Sequence, residues 1–329
     1  MGRPLFWLCF LGRCDIDLLS KSDAMFLLNG IIFLIGFSFD HRFVNFKQMQ
    51  KVFIIPLLFG LLTFSCEKTD ISVVNLNNNI IKVIGHGGMG IKHNYPMNTF
   101  PSVMRALSLG ANGVEIDVQM TIDGVLVAYH DYDMSKRSSA SGQIYNQSWD
   151  EISGTTYLNP LFTDYALMRL DSLISGIPDH RDVIFFLDCK NFNPDTSEYY
   201  LNKFTDVLIE LLDSFGMGEK VYIEFKRIDL IRTIREKRGD MKIFFYGNNF
   251  DTALKTALEY NLPGITMSIN LISTEQVAMA HAKGVMVSVM NTHTRARNRQ
   301  AIKMNADFIQ TDMLRYLIRL LQDSPHGNF

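Results

Sequence analysis

From about residue 80 onward, short runs rich in β-branched and aromatic residues alternate with longer segments of helical period. That alternation is the pattern of a parallel sheet with crossover helices, because parallel neighbours need a long connection. The strand candidates are "IKVIGH" at 81, "GVEIDVQ" at 113, "VLVAYH" at 125, "VIFFLDCK" at 183, "KVYIEFK" at 220, "KIFFYG" at 242, "GITMSI" at 264, "VMVSVM" at 285 and "DFIQTD" at 307. Amphipathic stretches such as "NTFPSVMRALSLG", "SEYYLNKFTDVLIELLDSFG" and "STEQVAMAHAKG" lie between most of them. The last two end at glycines suited to a helix C-terminus. A closed barrel of this kind needs eight strands, one fewer than the candidates. Only "TIDG" separates "GVEIDVQM" from "VLVAYH", a tight turn that joins antiparallel strands and cannot carry a parallel crossover. The expected fold is therefore α/β, a (β/α)8 barrel with a hairpin excursion after the second strand; a doubly wound open sheet is the alternative. Residues 135–159 hold Ser and Gly without period and read as an irregular loop over one face.

The barrel domain is expected over 80–329. Upstream, "AMFLLNGIIFLIGF" and "VFIIPLLFGLLTFSC" are apolar. Counted from Met49, the second has a short basic start at Lys51, an apolar stretch of signal-peptide length and small residues before Cys66. It resembles a bacterial lipoprotein signal, with Leu62–Ser65 as the cleavage box and Phe64 bulkier than usual. That resemblance implies export to the cell envelope, lipidation at Cys66 and membrane attachment through acyl chains. Residues 1–48 then read as an upstream extension, 49–66 as the signal and 67–79 as a linker. A membrane segment over Met25–Phe37 is the alternative for the first stretch, and an uncleaved anchor helix for the second. Of four cysteines, only Cys189 lies in the barrel; it forms no disulfide framework or zinc spacing and reads as a buried small hydrophobe. A formal net charge of -2 excludes the basic excess that tracks nucleic-acid backbones.

Reactive residues of such barrels collect at the C-terminal strand ends. Those ends carry His86, Glu115 with Asp117, Asp188 with Lys190, Glu224 with Lys226, Asn291 and Asp312. Glu115 and Asp117 leave one strand face by the two-residue period and can reach one cation, with Asp188 as a third carboxylate. Hard oxygen donors suit Mg²⁺ or Ca²⁺ better than zinc. A metal beside Lys190 is a site for a phosphate, and His86 and His130 can divide proton transfer. Taken singly, an E-x-D pair is more often a solvated or salt-bridged rim than a ligand set; it is the joint occurrence of two histidines, three carboxylates and a lysine at adjacent strand ends that points to catalysis.

The order of motifs resembles the glycerophosphodiester phosphodiesterase family. That family has His-Arg-Gly on its first strand, then P-E-N-T, G-A-D-x-x-E-x-D-V-x-x-T-x-D-G, H-D and E-x-K. Here the stretches stand as "HGG", "PMNT", "GANGVEIDVQMTIDG", "YHD" and "LDCK", with "QTD" near the end. The resemblance covers about 81–315. It implies His86 and His130 as general acid and base, and Glu115, Asp117 and Asp188 as ligands of Ca²⁺ or Mg²⁺. It also implies Lys190 against the substrate phosphate, with Gly87 and Asn98 beside it. The implied substrate is a small phosphodiester or lipid headgroup. Gly87 replaces the family arginine, Met97 the P-E-N-T glutamate, and Ser288 falls near a rim tryptophan. Lys92, Lys136 or Arg137 are candidates for the missing cation. Sphingomyelinase D toxins, a related family, also lack that arginine triplet.

"GHGGMG" at 85–90 also fits a dinucleotide loop. In that fold the last glycine opens the helix, whereas "IKHNYPM" intervenes before a helix expected from Asn98, and a ribose contact would leave His130, Asp188 and Lys190 without a role. The glycines are read instead as letting backbone approach a ligand beside His86, with room left by the missing arginine. Two functions besides glycerophosphodiester hydrolysis stay open: a barrel that binds a phosphorylated ligand without turnover, and a sphingomyelinase D-like phospholipase or cleavage on a larger headgroup.

Overall fold

Strands buried on both faces belong in a parallel sheet covered by helices, and Gly113–Met120 is buried at all eight positions. The computed structural model describes residues 72–91, 95–158 and 165–322. They fall in one unit, Asp70–Phe329. Its strands are β1 (Lys82–Gly85), β2 (Gly113–Met120), β3 (Leu126–Ala128), β4 (Met168–Arg169), β5 (Ile184–Cys189), β6 (Val221–Phe225), β7 (Lys242–Gly247), β8 (Gly264–Ser268), β9 (Met286–Thr292) and β10 (Phe308–Thr311). The order β2-β5-β6-β7-β8-β9-β10-β1 closes through a parallel β1–β2 pairing, giving the eight-stranded (β/α)8 barrel.

Helices α1 (Phe100–Ser108), α3 (Leu170–Ser175), α4 (Glu198–Ser214), α5 (Ile228–Lys237), α6 (Phe250–Glu259), α7 (Thr274–His281), α8 (Arg295–Lys303) and α9 (Leu314–Gln322) supply the outer layer, and α2 (Trp149–Ile152) lies in the excursion. In α9 the buried residues Leu314, Leu317, Ile318 and Leu321 recur at helical spacing, the stripe that packs on the barrel. Gly216 and Gly284, each in the left-handed region, follow α4 and α7 as expected.

Inside the barrel, Ile84, Phe186, Phe244 and Phe308 form an apolar floor. Above it lies a polar layer. Gln310 Nε2 donates to Glu224 Oε1 at 2.6 Å and to Ser288 Oγ at 3.1 Å, and Thr266 donates to Glu224 as well. Ser288 is thus fully buried mid-strand and not on the rim where the family pattern suggested it.

The hairpin is present: β3 runs antiparallel to β2, with Val118 opposite Ala128. β4 extends it, pairing antiparallel with β3. Two residues carry no periodicity, which is why this strand was not visible in the sequence. The expected irregular loop at 135–159 is also more ordered than its composition suggests. Val127, Tyr129, Met134, Ile144, Ile152, Tyr157 and Leu167 form a separate apolar core, and a Ser148/Glu151 capping box starts α2.

The described part of the expected linker packs onto the barrel: Val73 is buried and Asn75 Nδ2 donates to Ala306 O at 3.1 Å. The signal segment, Cys66 and Lys92 lie outside the described residues. Among the described residues no helix is long and apolar enough to cross a membrane. Cys189 is buried and free.

Candidate active site

The two-residue period of β2 puts Glu115 and Asp117 on one face, and register sets Asp117 beside Asp188 and Asp188 beside Glu224. Glu115, Asp117 and Asp188 are buried, each offering an oxygen within 4.8 Å of the others. Lys190 Nζ stands 2.9 Å from Asp117 Oδ1 and pairs with Asp188. Asn98 is engaged by Asp117 at both ends of its amide: Nδ2 donates to Asp117 Oδ2 at 2.7 Å, and Oδ1 accepts from Asp117 N at 3.1 Å. Its backbone is left-handed, φ 64°, ahead of the Thr99 N-cap, so α1 begins at Phe100 and not at Asn98. That turn, open to Asn at small cost, frees the amide to hold Asp117.

One ammonium among so many buried carboxylates leaves negative charge unbalanced. The Glu115 carboxyl is pushed well above the ordinary range, by burial first and then by Asp117. Burial also raises Glu224, to about 8, with Asp188 adding to it. Burial works the same way on Asp117, but Lys190, then His130 and the Asn98 hydrogen bond outweigh it and hold that carboxyl below its usual range. Lys190 is kept charged: burial opposes the ammonium, and Asp117, Asp188 and Glu115 overcome it. Three buried, mutually repelling hard-oxygen donors fit a divalent cation such as Ca²⁺ or Mg²⁺, which would relieve that repulsion.

Each candidate histidine has a carboxylate partner. His86 Nδ1 is 2.8 Å from Asp312 Oδ1. Burial raises the Asp312 carboxyl, but hydrogen bonding and charge from His86, then His293, hold it low, so it is ionised and can only accept. In the neutral ring Nδ1 therefore carries the proton, and the Nε2 lone pair is left for chemistry. His130 Nδ1 is 3.1 Å from Asp131 Oδ1, while Arg137 Nε pairs with Asp131 Oδ2 at 2.8 Å. His130 does not end a barrel strand. It follows β3, which folds back so that Tyr129 N donates to Asp117 O at 3.1 Å.

Several expectations change. Gly87 has φ 52°, and a Cβ there would lie 2.6–2.8 Å from Met97. Met97, buried, fills the room expected at the missing arginine; the two departures from the family pattern touch one another. Gly87 N donates to Glu115 Oε2 at 2.8 Å, and its carbonyl accepts from Asn98 N and Ser102 Oγ, each at 3.0 Å. Gly87 and Asn98 thus support Glu115 and Asp117; the Gly87 N–H and carbonyl are both engaged within the protein, while Asn98 also lines the cavity beside His130. The glycine loop packs against the protein itself: a Cβ on Gly90 would meet Asp312 Oδ1 at 2.4 Å. Lys136 and Arg137 line a cavity of about 150 Å³ with Tyr95, Met97, Asn98 and His130.

Sequence reasoning missed three groups. His293 Nδ1 sits 2.6 Å from Asp312 Oδ2 and its ring centroid 5.9 Å from that of His86. Asp131 is the partner of His130. Tyr246 faces the mouth, its hydroxyl raised by burial and then by Asp188. The "NTHT" after "VMVSVM" was the available signal for His293.

The fold and its mouth define a class, a (β/α)8 barrel whose rim joins an acidic triad to histidines backed by carboxylates. Within that class the chain belongs to the glycerophosphoryl diester phosphodiesterase family, whose model matches residues 89–315. A glycerophosphodiester phosphodiesterase of Caldanaerobacter subterraneus subsp. tengcongensis is 40% identical over 241 residues, covering 73% of this chain and 97% of that protein. One from Bacillus altitudinis is 37% identical over 145 residues, 43% of this chain and 56% of that protein. With the Bos taurus relative covered over 40% of its length, the chain spans about half of several curated relatives. The solved structure of an Oleispira antarctica phosphodiesterase, in complex with the product sn-glycerol-3-phosphate, shares the fold at TM-score 0.65 and 16% identity. The match covers 75% of this chain and 99% of that one.

Proposed function

We propose that this chain hydrolyses a glycerophosphodiester to an alcohol and a phosphomonoester. The observation that carries the reading is the buried Glu115–Asp117–Asp188 triad beside two histidines that each have a carboxylate at Nδ1. The names of the relatives and the product bound to the Oleispira antarctica enzyme support it.

Glu115, Asp117 and Asp188 would hold Ca²⁺ or Mg²⁺, which when bound supplies positive charge to the phosphate oxygens and the attacking water. The chain's own residues then divide the proton work. One histidine takes a proton from water at Nε2 as the new P–O bond forms; the other gives its Nε2 proton to the alcohol oxygen as the old P–O bond breaks. Asp312 and Asp131 hold the rings in the tautomer that this requires. Lys190 and Asn98 hold Asp117, and Gly87 N holds Glu115.

The test is release of alcohol or phosphomonoester from glycerophosphocholine, glycerophosphoethanolamine, glycerophosphoinositol and sphingomyelin with either metal. His86→Ala and Glu115→Ala should each lower kcat by about 10²-fold or more. The apolar Gly87–Met97 contact favours one second reading, a barrel that binds a phosphorylated ligand without turnover. Silence across the panel with metal still bound would replace hydrolysis by that reading.

We also propose that the protein is exported and lipid-anchored at Cys66, on the sequence of residues 49–66. Labelled palmitate should enter the wild-type protein and not Cys66→Ser; equal labelling would remove the anchor.

A further inference from the structure

Two adjacent barrel strands end in the same pattern. β5 closes on Asp188, Cys189, Lys190 and β6 on Glu224, Phe225, Lys226. Asp188 and Glu224 are register partners, so the two lysines leave neighbouring strands at the same level of the mouth. Their ammonium groups meet different fates. Lys190 is held between Asp117 and Asp188. Lys226 has no carboxylate within ion-pair distance among the described residues; its Nζ lies 3.9 Å from the centre of the Tyr246 ring.

A phosphodiester carries its negative charge on the non-bridging oxygens, and a protein cation beside a metal stabilises that charge in the bound state and in the transition state. The other cations on hand are poorly placed or occupied. Arg137 is paired with Asp131 at 2.8 Å. Lys136 lines the cavity of Tyr95, Asn98 and His130, whose lining does not include Glu115, Asp117 or Asp188. The Gly87–Met97 contact is apolar. Lys226 alone among these is exposed, without an ion pair and fixed at the acidic mouth by an aromatic face, an arrangement that holds an ammonium without neutralising it.

We infer that Lys226, seated on Tyr246, is a substrate-binding residue that takes a non-bridging oxygen of the phosphate at this mouth. The inference rests on the phosphodiester reading above and names the residue that brings the protein's own positive charge to that anion.

The test uses the full-length protein in detergent with Ca²⁺ or Mg²⁺, and sn-glycerol 3-phosphate as the probe, its binding followed by calorimetry. Lys226→Met should weaken binding about ten- to a hundredfold, the range for a hydrogen bond between charged groups. Lys226→Arg should recover most of the loss, while the melting temperatures of both variants stay with the wild type. In turnover assays the same change should appear in KM more than in kcat. Binding by Lys226→Met within twofold of the wild type overturns the inference, as does a wild-type protein that does not bind the probe. Wild-type binding lost in Lys226→Met, without turnover of any diester, would sink the hydrolytic reading and leave the anion site standing.

Discussion

Gly87 and Met97 show how two departures from a family pattern can be one event. Where the family pattern has an arginine and a glutamate, this chain brings a bare backbone with φ 52° against a buried thioether. Gly87→Ala should destabilise the protein by about 1–2 kcal/mol from the left-handed backbone alone, with the Met97 contact adding to it. Met97→Ala should cost about 2–5 kcal/mol for its cavity. Urea unfolding of the double variant tests the contact: its loss should fall short of the sum, since the shortened side chain makes way for the new methyl. Strict additivity would mean that the two residues do not press on one another.

At the scale of elements, the excursion between β2 and α3 carries His130 on a core separate from the barrel's. Ile144→Ala or Ile152→Ala should cost about 2–5 kcal/mol, felt locally. Amide exchange should quicken across 129–157 while the barrel strands stay protected, and kcat should drop as His130 and Asp131 lose their support. Exchange that quickens evenly through β5 to β10 would show instead that excursion and barrel unfold as one. The hairpin itself was legible because "TIDG" is too short for any crossover. Its small core was not: residues 134, 144, 152, 157 and 167 follow no period, and only their tertiary meeting makes them a core.

At the scale of the molecule, the barrel mouth buries more carboxyl groups than the one ammonium of Lys190 can neutralise, and stability should depend on pH accordingly. In metal-free protein, Glu115 and Glu224 bind protons more tightly folded than unfolded, Glu224 with a value pushed up to about 8. Their contribution is full below the ordinary carboxylate range and is lost as pH rises through the folded values. Asp117, shifted down, and Lys190, shifted up, titrate outside that window. Metal-free stability should therefore fall between about pH 5 and pH 8. Ca²⁺ or Mg²⁺ at a hundredfold over its dissociation constant should add about 2.7 kcal/mol and flatten the decline. Melting curves across that range, with and without chelator, check both; a Glu115→Gln protein that keeps the full metal-induced gain would exclude Glu115 as a ligand.

The sequence by itself determined the alternation of strands and helices, the hairpin after the second strand, and which carboxylates and lysine share a strand face at the mouth. Strand period places Glu115 with Asp117 and Asp188 with Lys190, and those relations need only a few consecutive residues. Closure decided the rest. Asp312 reaches His86 across 226 positions of chain, Met97 covers Gly87 through a turn with no period, and Lys190 is drawn onto the carboxylates while Lys226 is left on Tyr246. Local pattern tells which face a residue takes; which partner it meets there depends on register and on the loops that fold over it, and those are settled only when the whole chain packs.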